Sequence, residues 1–308
     1  MGSRAFVMHR GCQATIGFLG ATTPLAWSAF VTAFEQRLRT RHWINGGNIA
    51  IDYRWANGEK DAYRELAKEF ADRGVDVIVT SGTAPVLAAQ EAAPDIPIVF
   101  ASAGEGPGLR HGNVTGLSNG QAGLAGERIR RFREAIPSLR SLAVFGNVSV
   151  PNVKAEMKSI DGLSGDLKKS GLDITKVEIR KAEDILPAIE SIKTTKANET
   201  GLYVCTDPLV TAHAVRINTL AVSKGLPTMH AFREYVLAGG LMSYGPDFRK
   251  MFERAADLVD DLLRGTELDK LKIDQDFEPM HSVNLTTARA LGLNVSGGFA
   301  TPANEVIE

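Results

Sequence analysis

The sequence predicts an α/β protein of two doubly wound parallel-sheet lobes joined by three hinge crossings, and three observations predict it. Its 308 residues, 44% of them hydrophobic, exceed what one core comfortably fills and suit two. The chain repeats itself, two halves carrying the same order of elements roughly 125 residues apart. Within each half, short continuous apolar strands alternate with amphipathic helices, the pattern of a parallel sheet covered on both faces.

In the first half Thr15–Leu19 reads as a buried strand, and Thr23 and Pro24 supply an N-cap and a first-turn proline. Trp27, Phe30, Val31, Phe34 and Leu38 then recur at helical spacing. The second strand is Ile49–Tyr53, with Leu66 and Phe70 facing inward from the helix behind it. The third, Val75–Val79, runs into Thr83-Ala84-Pro85, again a cap before a proline. The fourth, Ile96–Phe100, carries Pro97 at its second residue, where a strand tolerates it. Val114–Leu117 is the fifth, followed by a strong helix from Ala122 to Ala135.

The second half repeats this order. Ser141–Phe145 is its first strand, Pro151 marks the turn, and Val153, Met157, Ile160, Leu163 and Leu167 form the stripe. Ile174–Ile179 precedes a helix with Ile185, Ile189 and Ile192 inward, and Gly201–Cys205 runs into Asp207-Pro208. Leu226–His230 and Leu241–Tyr244 complete the set, a helix spans Phe248 to Leu263, and His281–Leu285 adds one strand in the tail. Crossings are expected near Ser118, Pro246 and Asp276. Residues 14–118 with about 247–276 then form one lobe, and 119–246 with about 277–308 the other. Residues 1–13 read as a tag remnant or a disordered N-terminus.

The 35 basic residues nearly balance 36 acidic ones, so the chain offers no broad basic field for nucleic acid or anionic lipid. Cys12 and Cys205 have neither zinc nor redox spacing and read as free thiols. His111, His213, His230 and His281 never approach metal-ligand spacing, and no cofactor motif appears. No nucleophile elbow occurs, and Gly104–Gly108 follows a strand without opening a helix, so the residues make no case for an enzyme.

Several segments resemble a known family. Gly58–Asp61 before a helix, Val75–Val79 with Gly82 and Thr83, Ile96–Phe100, Asn113–Gly116, Asp207–Leu209, Glu234–Val236, Gly239–Leu241, Ser243–Pro246 and Asn284–Gly292 are similar to the tryptophan/tyrosine-type substrate-binding proteins of ABC transporters. The likeness runs from about Ile16 to Leu293. It implies a type I periplasmic-binding fold, a periplasmic location, and delivery of a small carboxylate, best known as an aromatic amino acid, to an inner-membrane permease. A monomer is expected. Ala101–Gly106 and Gly146–Ser149 depart from the family pattern at the expected mouth. A ligand-sensing module for a receptor or regulator is the alternative, since one fold serves both roles.

Ligands of doubly wound sheets sit beyond the carboxyl ends of the strands, which points to the loops after the first, third and fourth strands of each lobe. Ser81, Gly82, Thr83 and Ala84 form the candidate carboxylate anchor: a helix N-terminus offers free N–H groups, glycine admits close approach, and hydroxyls donate. Thr83 as a simple cap of its own helix is the plainer reading, compatible with the first. Thr22 and Thr23 are candidate donors, Thr23 equally a cap, and Ser102 and Ala103 a small-residue floor. In the other lobe Asp207 is a candidate partner for a ligand ammonium and also an ordinary N-cap. Glu234 is its substitute or a solvated surface acid, Phe232 a stacking ring. Asn147, Asn152 and Tyr244 complete the candidates. Binding is expected to proceed by hinge closure.

Overall fold

In the computed structural model, which describes residues 13–104, 109, 112–194, 196, 198–274, 279–293 and 303–308, the first apolar run becomes strand β1, Ala14–Gly20. Helix α1, Pro24–Thr40, starts where the Thr23 hydroxyl accepts from the Ala26 N–H at 3.2 Å. It buries Trp27, Phe30, Ala33, Phe34 and Leu38, while Val31 is half-buried. β2 (Ile49–Trp55), α2 (Ala62–Arg73), β3 (Val77–Thr80), α3 (Thr83–Ala92), β4 (Ile98–Ala103) and β5 (Val114–Ser118) follow. Then come α4 (Gln121–Ala135), β6 (Ser141–Asn147), α5 (Pro151–Lys169), β7 (Asp173–Ile179), α6 (Ile185–Ser191) and β8 (Thr200–Val204). Two short helices, α7 (Pro208–Ala212) and α8 (Ala214–Ser223), precede β9 (Thr228–His230), α9 (Arg233–Leu237) and β10 (Met242–Pro246). The chain ends with α10 (Phe248–Leu263), β11 (Pro279–Asn284), α11 (Leu285–Ala290) and β12 (Glu305–Ile307).

Two compact units result, the first drawing its described residues from Met1–Asn119 and Phe248–Asp276, the second from Gly120–Asp247 and Phe277–Glu308. The unit boundary near 276 falls outside the described residues, as do Cys12 and most of the Gly104–Gly108 segment. The first unit holds a five-stranded parallel sheet in the order β2-β1-β3-β4-β5. The second holds seven strands, β12-β11-β10-β9-β8-β6-β7, in which β7-β6-β8-β9-β10 repeats the first order.

Two details refine the expected architecture, whose repeated five-strand order is parallel in both sheets. The second sheet is not wholly parallel, because β11 runs antiparallel to β10. Pro279, where β11 starts, pairs with Pro246, where β10 ends, so the returning chain can only run back along the strand it left. β12, parallel to β11, adds an edge strand that no apolar run announced. Pro97 and Pro227 also stand just ahead of their strands rather than inside them. Their carbonyls accept from Ile78 and Leu202 at 2.9 and 2.8 Å, which needs no N–H from proline.

Phe18 anchors the first core, with Trp27, Phe34, Tyr53, Trp55 and Phe252 around it at ring separations of 5.2–6.4 Å. In the second unit Val153, Met157 and Ile160 bury one face of α5 as expected, but Leu163 and Leu167 are only half-buried. Glu156 joins the buried stripe instead, paired with the equally buried Arg128 of α4 at 2.8 Å. Cys205 is a buried free thiol. Among the described residues no helix is long and apolar enough to cross a membrane.

Candidate functional site

In the first sheet β1 lies between β2 and β3, so the connections leave β1 and β3 in opposite directions and open a crevice at their carboxyl ends. Thr22 and Thr23 follow β1, and Ser81–Ala84 follow β3. Gly82 has φ of +99°, a conformation that favours glycine, and it turns the chain from β3 into α3. Its N–H donates to the Ser102 carbonyl at 2.6 Å, and the Ser81 hydroxyl donates to the same oxygen at 3.0 Å. The Thr83 hydroxyl accepts from the Gly104 N–H at 3.1 Å.

These bonds tie Ser81, Gly82, Thr83, Ser102 and Ala103 into one rim, and they revise its chemistry. Ser81 and Gly82 spend their donors inside the protein. Thr83 is the first residue of α3 rather than its cap, and its side chain braces the β4 loop instead of its own helix. What stays available is the N–H of Thr83, the N–H of Ala84 and the Thr83 hydroxyl proton: among the described residues nothing accepts from either N–H. Thr22 is fully buried, and its hydroxyl has no hydrogen-bond partner. Thr23 serves as the cap of α1. Asn119, which sequence reasoning missed, closes the rim: its side-chain amide donates to the Ser102 hydroxyl at 3.0 Å and its N–H to the Ala103 carbonyl at 2.9 Å. The signal was Ser118-Asn119 directly after the fifth strand.

The second unit has the same switch point between β6 and β8. Asn147 ends β6, is buried, and accepts from the Ser149 N–H at 3.0 Å. Asn152, in the first turn of α5, donates to the Thr206 carbonyl at 3.4 Å. Asp207 caps α7: its Oδ1 accepts from Leu209 and Val210 at 2.7 and 3.1 Å, while its Oδ2 is buried without a partner. Burial pushes this carboxyl up to about 6, against the pull of the two N–H groups and of Asn147.

Phe232 is buried and stacks on Tyr235 at 6.3 Å. Tyr235, also missed from sequence, hydrogen-bonds the Thr211 hydroxyl at 2.6 Å. Glu234 is not a solvated surface acid: its Oε2 is buried without a partner, and burial pushes its carboxyl up to about 7. Tyr244 is not brought into this group. Its ring lies under the Arg131 guanidinium at 4.2 Å and edge-on to His281. Among the described residues no three His, Cys, Asp or Glu side chains could hold a metal ion.

Residues 26–307 match the family model described as ABC transporter substrate binding protein. A tyrosine-binding protein of Clostridioides difficile (strain R20291) is 25% identical over 271 residues, covering 84% of this chain and 75% of that one. A conserved domain protein from Vibrio cholerae superposes with a TM-score of 0.83 at 23% identity, over 96% of this chain and all of that one. An ABC domain from Streptococcus pneumonia, solved in complex with L-Trp, superposes at 0.79 with 17% identity, over 95% of this chain and all of that one.

Proposed function

The chain belongs to the ABC transporter substrate-binding protein family, with the type I periplasmic-binding fold, and from that premise we propose that it is the periplasmic component of an importer. It closes on a small carboxylate, an aromatic amino acid or a related aromatic or apolar acid, and passes it, as a monomer, to an inner-membrane permease. The family binds its substrates and does not transform them.

The observation that carries the ligand class is the pair of unspent N–H groups, Thr83 and Ala84, at the head of α3 and at a topological switch point. A helix N-terminus presents two aligned donors and the positive end of the dipole to a carboxylate. The second unit, taken by itself, carries groups that suit an amino acid: Asp207 offers an unspent carboxylate oxygen to an ammonium group, and Phe232 and Tyr235 offer apolar surface. The tyrosine-binding relative and the L-Trp complex are consistent with that class.

A thermal-shift screen tests the reading with L-tyrosine, L-tryptophan, L-phenylalanine, L-leucine, benzoate and tyramine. A ligand that binds only the native state at a hundred times its Kd adds about 2.7 kcal/mol of stability. The aromatic amino acids are expected to do so and tyramine, which lacks the carboxylate, is not. Equal shifts from L-tyrosine and tyramine would remove the anchor at α3, and no shift from any aromatic acid would remove the ligand class.

A further inference from the structure

Asp207 is an acid built into a neutral shell. It is 4% exposed, and one oxygen is satisfied by two backbone N–H groups while the other makes no hydrogen bond of its own, although Asn147 stands close enough to favour the ionised form. Among the described residues no Lys, Arg or His forms an ion pair with it. The elements around it supply Asn147 from β6, Asn152 from α5 through the Thr206 carbonyl, and Tyr235 from α9, none of them a cation. Cys205, two residues earlier, is a buried thiol that feels the charges of Glu156, Arg128 and Asp207. Arg128 is already spent on Glu156 at 2.8 Å and on the Tyr203 hydroxyl at 3.0 Å. His213 stands at the far end of α7, as its C-cap.

A second acid repeats the arrangement. Glu234 has one buried oxygen without a partner, and the phenol of Tyr235 lies within the field of both carboxyls. Its charged neighbours are Asp247, Arg233 and Glu305. Arg233 is engaged by Glu305 through two bonds of 2.6 Å, so the cation beside Glu234 is committed elsewhere.

An ionised carboxylate buried without a counter-ion is costly enough that the group neutralises instead. We propose that in mildly acidic solution Asp207 holds a proton in the ligand-free protein and surrenders it when the ligand's ammonium group supplies the missing counter-ion, so that capture of a cation-bearing ligand there expels a proton. This rests on the reading of the ligand as an amino acid. The carboxyl O–H bond breaks, the proton leaves to solvent, and an ion pair between the Asp207 carboxylate and the ammonium replaces it. The elevated range of both acids, about 6 for Asp207 and about 7 for Glu234, sets where the exchange is visible. Below that range the ligand must displace a proton, so affinity falls as the solution is acidified. Above it the acids are already ionised, and affinity is level. Ligand would thus be held more tightly in neutral than in acidic surroundings.

Titration calorimetry of the full chain with L-tyrosine and L-tryptophan, near pH 5.5 and near pH 8, in pairs of buffers with unequal ionisation heats, counts the protons exchanged. Roughly three-quarters of a proton released per ligand near pH 5.5, few or none near pH 8, and a Kd weakened about fourfold at the acid end are expected. Asp207→Asn is expected to remove most of that release, and Glu234→Gln part of it. The wild-type count serves as the measure should Asp207→Asn fail to fold. Tight binding with no proton released near pH 5.5, or release that persists in Asp207→Asn, would overturn the proposal and leave the ligand class standing. Failure of every amino acid to bind at either pH would overturn both.

Discussion

Arg128 and Glu156 form an ion pair at 2.8 Å in which both side chains are sealed from water, 1% and 2% exposed. The Tyr203 hydroxyl accepts from Arg128 and donates to Glu156 at 2.6 Å, and Arg128 Nε donates to the Tyr244 carbonyl at 2.6 Å. Every contact lies among α4, α5, β8 and β10, so the cluster fastens two helices to the sheet that carries Asp207. Removing one partner strands the other charge. Arg128→Met is expected to cost about 3–5 kcal/mol, and the double variant with Glu156→Leu to recover most of it. Urea unfolding, read as a change in midpoint at constant slope, checks both.

Gly116 and Gly162 predict opposite signs for the same substitution. A Cβ on Gly116, at φ +152°, would lie 2.2 Å from the Phe100 carbonyl oxygen across the β4–β5 ladder. Backbone cannot swing aside there, so Gly116→Ala is expected to cost about 3 kcal/mol or more. Gly162 sits on the exposed face of α5 with nothing within 4 Å of the added carbon. Gly162→Ala is expected to stabilise by about 0.5–1 kcal/mol through helix propensity alone. Melting temperatures of the two variants against wild type decide the matter.

The repeat made the two lobes and their switch points readable, because βα units in a fixed order dictate strand order. Thr23-Pro24 and Asp207-Pro208 announced helix starts for the same local reason. Long-range choices left no such mark. That Ser81 and Gly82 spend their donors on Ser102, 20 or 21 residues away, follows from how β3 and β4 lie side by side. β12 is three residues long, too short to show a period. Arg128 and Glu156 were legible in principle. Arg128 shares a helical face with Ala125, Ile129 and Phe132, and Glu156 with Val153, Met157 and Ile160, so a charge in each apolar stripe marked a buried pair.

His230 predicts the acid limb of the stability curve. It is 1% exposed, its Nε2 meets the Asn218 side-chain oxygen at 3.0 Å, and its Nδ1 is buried without a partner. Burial holds the ring neutral, pushing its pKa down to about 3 from the ordinary 6.5. The unfolded chain therefore takes up a proton that the folded chain refuses. The stability is complete above pH 6.5 and is lost as pH falls towards 3, at up to about 1.4 kcal/mol per pH unit. His230→Gln keeps an amide donor for Asn218 and removes the titration. Urea unfolding of both proteins between pH 7 and pH 4 is expected to show a steeper decline for wild type, whereas parallel curves would mean that the folded ring accepts the proton.

Thr22 sets stability against binding. Its hydroxyl lies at the β1 switch-point loop, fully buried and without a partner, a state that costs about 1–3 kcal/mol. A protein has reason to keep such a group where a ligand supplies the missing hydrogen bond. Thr22→Val preserves the shape and deletes the unsatisfied oxygen. The ligand-free variant is expected to unfold at higher urea, by about 1 kcal/mol, while its affinity for L-tyrosine falls about tenfold. The two effects oppose one another, which separates this role from general damage to the fold: a variant that loses affinity and stability together has been disrupted, and one that gains stability at unchanged affinity shows that the ligand never reached Thr22.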